Sequence, residues 1–359
     1  MTKVVVCWSD ISGYMAACWR SLAALPEIEL FIIAFQARTQ TVFSDELMKD
    51  IPCRLLDIQE RDDRGLIEQL ISDLKPDVLV VCGWFHTPYR QLAFSPRFQN
   101  LKFIMCMDTP WWGSWKQYLT PLLLRSYLQR MAYVVVNGER SWQYARRLGI
   151  PANNISSLGM CGVDYQNLSP LLPERNQSPW PRSFLFVGRY SQEKGIDTLV
   201  AAYQQYRLQV TDPWQLVCCG KGGLESQLAN QLGIDNRGFL QPDELRAVWL
   251  QAGAFLLPSR FDPWPLALVE AAAAGLPIIC TQVCGSSVEV IRSGYNGITI
   301  PVDDVDALTQ ALLTVHDRYD DLSLWGKRAQ QHAEPYSAQQ WAERWVRIVK
   351  SVNLTQVAT

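Results

Sequence analysis

Mostly apolar runs recur along the chain at 3–8, 29–35, 53–58, 77–82, 102–107 and 133–137. They are continuous rather than alternating, as expected of strands buried on both faces in a parallel sheet. Amphipathic segments at 14–25, 64–74 and 115–131 lie between them. The same order returns after residue 180, with apolar runs at 183–188, 215–219, 253–257 and 277–280 and helical segments at 196–209, 223–232, 243–251 and 266–275. Two successive β-α series predict an α/β protein of two doubly wound, Rossmann-like domains. The segment Ser169–Arg182 is proline-rich and non-periodic and reads as a linker, which puts the first domain at 1–165 and the second at 166–336. In the tail at 337–352, Trp341, Trp345, Ile348 and Val349 recur at helical spacing. That stripe needs a surface to pack on, and the first domain is the candidate.

Composition narrows the possibilities further. Of 359 residues, 33 are Lys or Arg and 35 are Asp or Glu, a net charge of −2 that gives no global drive toward nucleic acid. Cys7, Cys82, Cys106, Cys218, Cys219 and Cys280 sit inside apolar runs, where a thiol acts as a small hydrophobe rather than a disulfide partner. No signal peptide precedes the first strand, and no apolar stretch approaches the roughly 20 residues of a membrane span. A reducing cytoplasm is the expected compartment. Segment 115–131 carries Trp115, Lys116, Arg125 and Arg130 beside several leucines. Two readings stand: a helix packed on the core with a basic outer face, or peripheral contact with the cytoplasmic face of a membrane. His86, His316 and His332 are scattered and Cys280 with Cys284 lacks partners, so no metal site is expected.

The polar residues that stand out lie where a strand hands over to a helix. There a free helix N-terminus already offers N–H groups and partial positive charge to an anion. Gly188-Arg189 ends one run and Lys194-Gly195 opens the next helix, two cations suited to a diphosphate. Asp262 and Glu270 stand eight positions apart, a little over two helical turns, so that both could lie along one edge of a helix start. Gly220-Lys221-Gly222 is a second glycine turn, without the full dinucleotide fingerprint that an oxidoreductase would show. In the first half, Ser12-Gly13-Tyr14 and His86 follow the first and fourth runs. Asp108, Trp111 and Trp112 follow the fifth, where the tryptophans could stack on a sugar or plug a hydrophobic gap.

As an ordered set these residues resemble the retaining glycosyltransferases of the GT-B fold, family 4 (glycosyl transferases group 1). The resemblance covers nearly the whole chain and is strongest from Phe184 to Val302. It rests on Gly188-Arg189 with Lys194-Gly195, Gly220-Lys221-Gly222, Gly238-Phe239-Leu240, the Asp262 to Glu270 segment, Glu289, and Gly294-Tyr295-Asn296-Gly297. Gly162-Val163-Asp164 looks like the family's hinge. The resemblance implies a nucleotide-sugar donor and no cofactor or metal. In it Arg189 and Lys194 hold the diphosphate, Gly188 and Gly220 belong to the donor site, and Phe239 and Leu240 hold the base through backbone. Glu270 takes the ribose, Asp262 the transferred sugar, and His86 bridges to the donor sugar or acceptor. Gly13 allows close approach to the donor, and Tyr14, Asp108, Trp111 and Trp112 would face the acceptor. The chain departs from the pattern with Asp262 as the first acid of the usual Glu pair and with Ser12 in place of a glycine. Pro265 takes another glycine's place; it has no N–H, so the Leu266 or Ala267 amides would serve the phosphate. Whether the donor carries uridine, guanosine or adenosine is left open, as is the acceptor: a glycan, a lipid-linked sugar or a small molecule. An epimerase of the same fold and a non-catalytic nucleotide-sugar binding protein are the alternatives.

Overall fold

Each continuous apolar run becomes a strand in one of two parallel sheets. The computed structural model describes residues 1–36 and 45–354. The first sheet contains β1 (Thr2–Asp10), β2 (Ile28–Phe35), β3 (Cys53–Leu56), β4 (Val78–Cys82), β5 (Lys102–Met107), β6 (Met131–Val136) and β7 (Ile155–Ser156), in the order β3-β2-β1-β4-β5-β6-β7. The second contains β8 (Ser183–Val187), β9 (Gln215–Cys219), β10 (Ile234–Gly238), β11 (Ala254–Leu257), β12 (Ile278–Thr281) and β13 (Gly297–Ile300), in the order β10-β9-β8-β11-β12-β13. Each order reverses direction once, between β1 and β4 in the first sheet and between β8 and β11 in the second. At such a point the connections diverge and leave a crevice outside the strands' carboxyl ends.

The chain divides into two compact units, Met1–Gly162 with Ala338–Thr359, and Val163–Ser337. In the first, Val5, Leu79, Val81, Phe103, Met105 and Val134 are fully buried and share a core with Ile67 and Ile71 of the helix Arg64–Leu74. The C-terminal helix Ala338–Leu354 completes this unit. Trp341, Trp345, Ile348 and Val349 are buried on it, and the Trp345 indole donates to the Gly159 carbonyl at 2.6 Å. Burying side chains of this size contributes about 1.5–3 kcal/mol each. In the second unit, Phe184, Leu185, Phe186, Leu216, Phe255 and Leu256 are fully buried in the sheet, and Ala271, Ala272 and Ala273 are fully buried on the helix Leu266–Ala273.

The structure departs from the sequence expectation in four places. Residues 115–131 form two helices, Trp115–Leu123 and Arg125–Leu128, broken at Leu124. Segment 223–232 is not a helix but a short turn at Glu225–Gln227, because the Leu224 N–H is taken by the Tyr190 carbonyl at 3.0 Å and Asn230 adopts a left-handed φ of 59°. Three strands carry too little apolar signal to be read: β7, β10 and β13 all lie at sheet edges. Finally, Ser169–Arg182 is no linker. It contains the helix Leu171–Arg175 and two anchors into the second unit. The Trp180 indole donates to Gly253 O at 2.8 Å. Arg175, 2% exposed, donates to the carbonyls of Trp249, Leu250, Ala274 and Gly275.

Those carbonyls end the helices Pro242–Gln251 and Leu266–Ala273, so one guanidinium caps two helix C-termini, where a cation is also favoured by the helix dipoles. Burial pushes the Arg175 pKa down to about 10, which leaves it charged at neutral pH. Arg175→Leu should cost about 3 kcal/mol by orphaning buried carbonyls. Urea unfolding checks this, and an unchanged midpoint for the second unit would refute the capping role.

Candidate active site

The loops that follow β8 and β11 meet where the second sheet reverses its order. After β8 the chain passes Gly188 and Arg189, makes a turn at Gln192–Lys194, and enters the helix Ile196–Gln209 through Gly195. Gly195 has a φ of +66°, and a Cβ there would meet the Pro258 carbonyl oxygen at 2.1 Å. Only glycine lets this loop press against the end of β11. Arg260 secures the contact. Its N–H donates to Glu193 O at 2.7 Å, its Nη1 donates to Gln192 O at 2.9 Å, and its Nη2 pairs with Asp197 at 2.7 Å. The two loops are then joined side chain to side chain, with Lys194 Nζ donating to Asp262 Oδ2.

Asp262 does not lie on the helix with Glu270, contrary to the spacing argument. It sits in the loop before it and bridges to Cys284. Its carbonyl accepts from Gly285 N at 2.9 Å, and Ser286 Oγ donates to the Pro265 carbonyl at 3.1 Å, so the loop after β12 supports it from behind. Burial raises the Asp262 carboxyl above its ordinary range, opposed by the charges of Lys194 and Arg189. Taking an acid out of water here outweighs the pairing gain, as is common for buried ion pairs. Arg189 is exposed and, among the described residues, its charged contact is with Glu193 at 3.5 Å. Arg189, Lys194 and Asp262 thus form one electrostatic group.

Glu270 is separate from that group. Burial, with the Asp164 carboxylate adding to it, pushes its pKa up to about 7. Part of its surface remains open to solvent, and its carboxyl has no hydrogen bond or ion pair among the described residues. The helix that carries it begins at Leu266 with Pro265 as its cap and no side-chain capping bond, so the half-buried Leu266 and Ala267 open an uncapped N-terminus. Across β8, the Gly188 N–H donates to Cys219 O at 3.0 Å, and a Cβ on Gly220 would lie 1.9 Å from Gly188 O. Gly220 N in turn donates to Gly238 O at 2.8 Å, just ahead of the half-buried Phe239 and Leu240 at the end of β10. The carboxyl ends of β10, β9, β8 and β11 are therefore stitched into one continuous rim.

The first unit carries its own set at the ends of β1, β4 and β5. Gly13 and the half-buried Tyr14 open the helix Gly13–Ala23 after β1. His86, after β4, caps the helix Thr87–Leu92, with Nδ1 accepting from Tyr89 N at 3.4 Å. Its Nε2 lies 3.6 Å from Asp62, and burial holds its pKa below the usual value. Asp108 is exposed. The two tryptophans differ: Trp111 packs inside the unit against Tyr118, Tyr144 and Arg147, whereas Trp112 is 42% exposed. Among the described residues, no three His, Cys, Asp or Glu side chains group as a metal site would need. Sequence reasoning missed Arg260, the clamp of the site, whose role depends on partners more than 40 residues away.

Residues 173–332 match the family model of the glycosyl transferases group 1. This segment carries every residue of the rim. The chain is also similar to an uncharacterized glycosyltransferase, MJ1607, of Methanocaldococcus jannaschii, 30% identical over 154 residues, or 41% of this chain and 37% of that protein. It is 28% identical over 243 residues to the O-antigen chain mannosyltransferase B of Escherichia coli, covering 64% of this chain and 62% of the relative. Matches of this kind span well under two thirds of the archaeal relative's own length. In structure, Anabaena Alr3699/HepE, solved in complex with UDP, superposes with a TM-score of 0.71 at 16% identity, covering 96% of this chain and 99% of that one. Sucrose-phosphate synthase (tll1590) from Thermosynechococcus elongatus gives a TM-score of 0.74 at 16% identity, covering 99% and 100%. Together with the two parallel sheets, these likenesses show a GT-B fold built of two Rossmann-like domains.

The Glu270 carboxyl gives the site a measurable pH signature. Its pKa in the folded chain is about 7 against an ordinary 4.5, so the folded state holds a proton that the unfolded state has lost between those values. Above that window the folded protein bears the cost of a buried charge, and below it there is none. Glu270→Gln should therefore stabilise the unliganded protein by roughly 3 kcal/mol at about pH 8. The gain should fade toward zero as the pH drops to 4.5. Urea unfolding at both pH values tests this, and a pH-independent effect would contradict it.

Proposed function

We propose that the chain is a glycosyltransferase that moves a sugar from a nucleotide-sugar to a hydroxyl of a glycan or lipid-linked acceptor, with retention of configuration and without a metal ion. The observation that carries this reading is the rim itself. Two cations from one turn, an uncapped helix N-terminus and an unpaired carboxyl surround the crevice at which the second sheet reverses. The relatives support it in their own terms, being named as glycosyltransferases, and Alr3699/HepE was also solved with UDP-glucose.

In this reading the diphosphate lies over Gly188 and Gly220, where absent side chains let the backbone come close. Arg189, Lys194 and the Leu266 and Ala267 amides meet its charge. Breaking the anomeric C–O bond leaves negative charge on the departing diphosphate, and fixed cations stabilise that charge more than the ground state. Lys194 is already oriented by Asp262, so little reorganisation accompanies the step. Asp262 is then placed for the sugar that moves. Glu270, with no partner among the described residues to give up, accepts hydroxyls of the ribose. Phe239 and Leu240 border the base. For the first unit we propose acceptor contacts from Tyr14, Asp108 and Trp112, with Gly13 and His86 toward the donor sugar. Trp111, packed inside the unit, holds that loop in shape.

Arg189→Ala is the clean test because the side chain is exposed. Turnover of the donor identified in a panel of nucleotide-sugars should fall by about 10²–10³-fold, with the melting temperature unchanged. NMR of the product should show the anomeric configuration of the donor. Wild-type turnover in the variant would overturn the assignment, and an inverted product would overturn retention.

A further inference from the structure

The helix Trp115–Leu123 presents its faces in the reverse of the usual order. Its one buried side chain is polar: Gln117 is 7% exposed, accepts from Trp112 N at 2.8 Å and donates to Pro110 O at 2.8 Å. Its apolar side chains point outward. Trp115 is 68% exposed, Tyr118 65%, Leu119 44%, Leu122 73% and Leu123 78%. These positions follow i, i+3, i+4, i+7 and i+8, a stripe that an ordinary surface helix turns toward the core. The Gln117 bonds and the edge contact of Tyr118 on Trp111, at 4.9 Å, hold the stripe outward.

Charge selects the occupant. The cations placed at this helix are Lys116 on it, Arg125 just past its end and Arg147 over the ring of Trp111, its packing partner, in a chain whose net charge is −2. Lys116 sits 5.8 Å from the Trp115 ring, and Arg125 is exposed just past the helix end. A symmetric pairing of two copies through this face would bring the same exposed cations, Lys116 and Arg125, against themselves. Exposed apolar side chains flanked by cations match the boundary between acyl chains and anionic headgroups.

We infer that this helix docks the chain on an anionic lipid surface, with Trp115, Leu119, Leu122 and Leu123 entering the acyl boundary and Lys116 and Arg125 meeting headgroup phosphates. The inference is independent of the donor site. Flotation of the full chain with vesicles tests it. The protein should float with phosphatidylglycerol–phosphatidylcholine vesicles and at least about fivefold less with phosphatidylcholine alone. Leu122→Glu combined with Leu123→Glu should lower binding by about tenfold or more, with an unchanged melting temperature because both side chains are exposed. Arg189→Ala should float as the wild type does. Failure of the wild type to float, or equal flotation of the double variant, would overturn the inference. Self-association abolished by the double variant, without vesicle binding, would assign the face to a second copy instead.

Discussion

A buried ammonium–carboxylate pair, Lys194 with Asp262, is the constraint on which the candidate site depends. It ties the turn after β8 to the loop after β11 at the one place where the second sheet changes direction. Backbone contacts prepare it. Gly195 allows the turn to press on Pro258, Arg260 clamps the same turn from the far side, and Gly285 with Ser286 holds the Asp262 loop from behind. Remove either partner and the other's charge is stranded in a place from which water is largely excluded, a loss that such sites register strongly.

The electrostatics of the rim are unfavourable to the protein on its own. Asp262 and Glu270 both have carboxyls raised by burial, and among the described residues Glu270 has no hydrogen-bond or ion-pair partner to offset the cost. Arg189 extends into solvent with only a weak neighbour. Groups left in this condition are stabilised when a ligand supplies the missing hydrogen bonds and opposite charge, and perturbed carboxyls in a crevice are a common mark of functional sites. The apolar face of the helix Trp115–Leu123 follows the same logic on a larger scale. Exposed surface that costs free energy in water is held in place by a polar anchor facing inward.

The central strands were legible in the sequence because burial on both faces makes them continuously apolar, β4 being buried throughout. Of the edge strands, β3 was legible but β7, β10 and β13 were not. β10 is Ile-Asp-Asn-Arg-Gly, and it owes its strand conformation to pairing with β9 rather than to its own pattern. Ser169–Arg182 has the composition of a linker, yet Arg175 and Trp180 find partners some 70 to 100 residues away, which no local signal reveals. In the site, the chemistry-bearing residues could be placed at strand ends from the sequence, since strand-to-helix turns announce themselves through glycine and charge. What remained hidden was tertiary: that Asp262 leaves the helix to meet Lys194, that Glu270 stands alone, and that Trp111 and Trp112 part company. The direction of the 115–123 stripe was also undecidable, because periodicity locates a face without saying which way it looks.

The most direct measurement is a crystal structure with a nucleoside diphosphate bound. The account predicts the diphosphate against Arg189 and Lys194, beside the amides of Leu266 and Ala267, with the ribose hydroxyls on Glu270. A ligand lodged elsewhere, with the Lys194–Asp262 pair and Glu270 untouched, would contradict it.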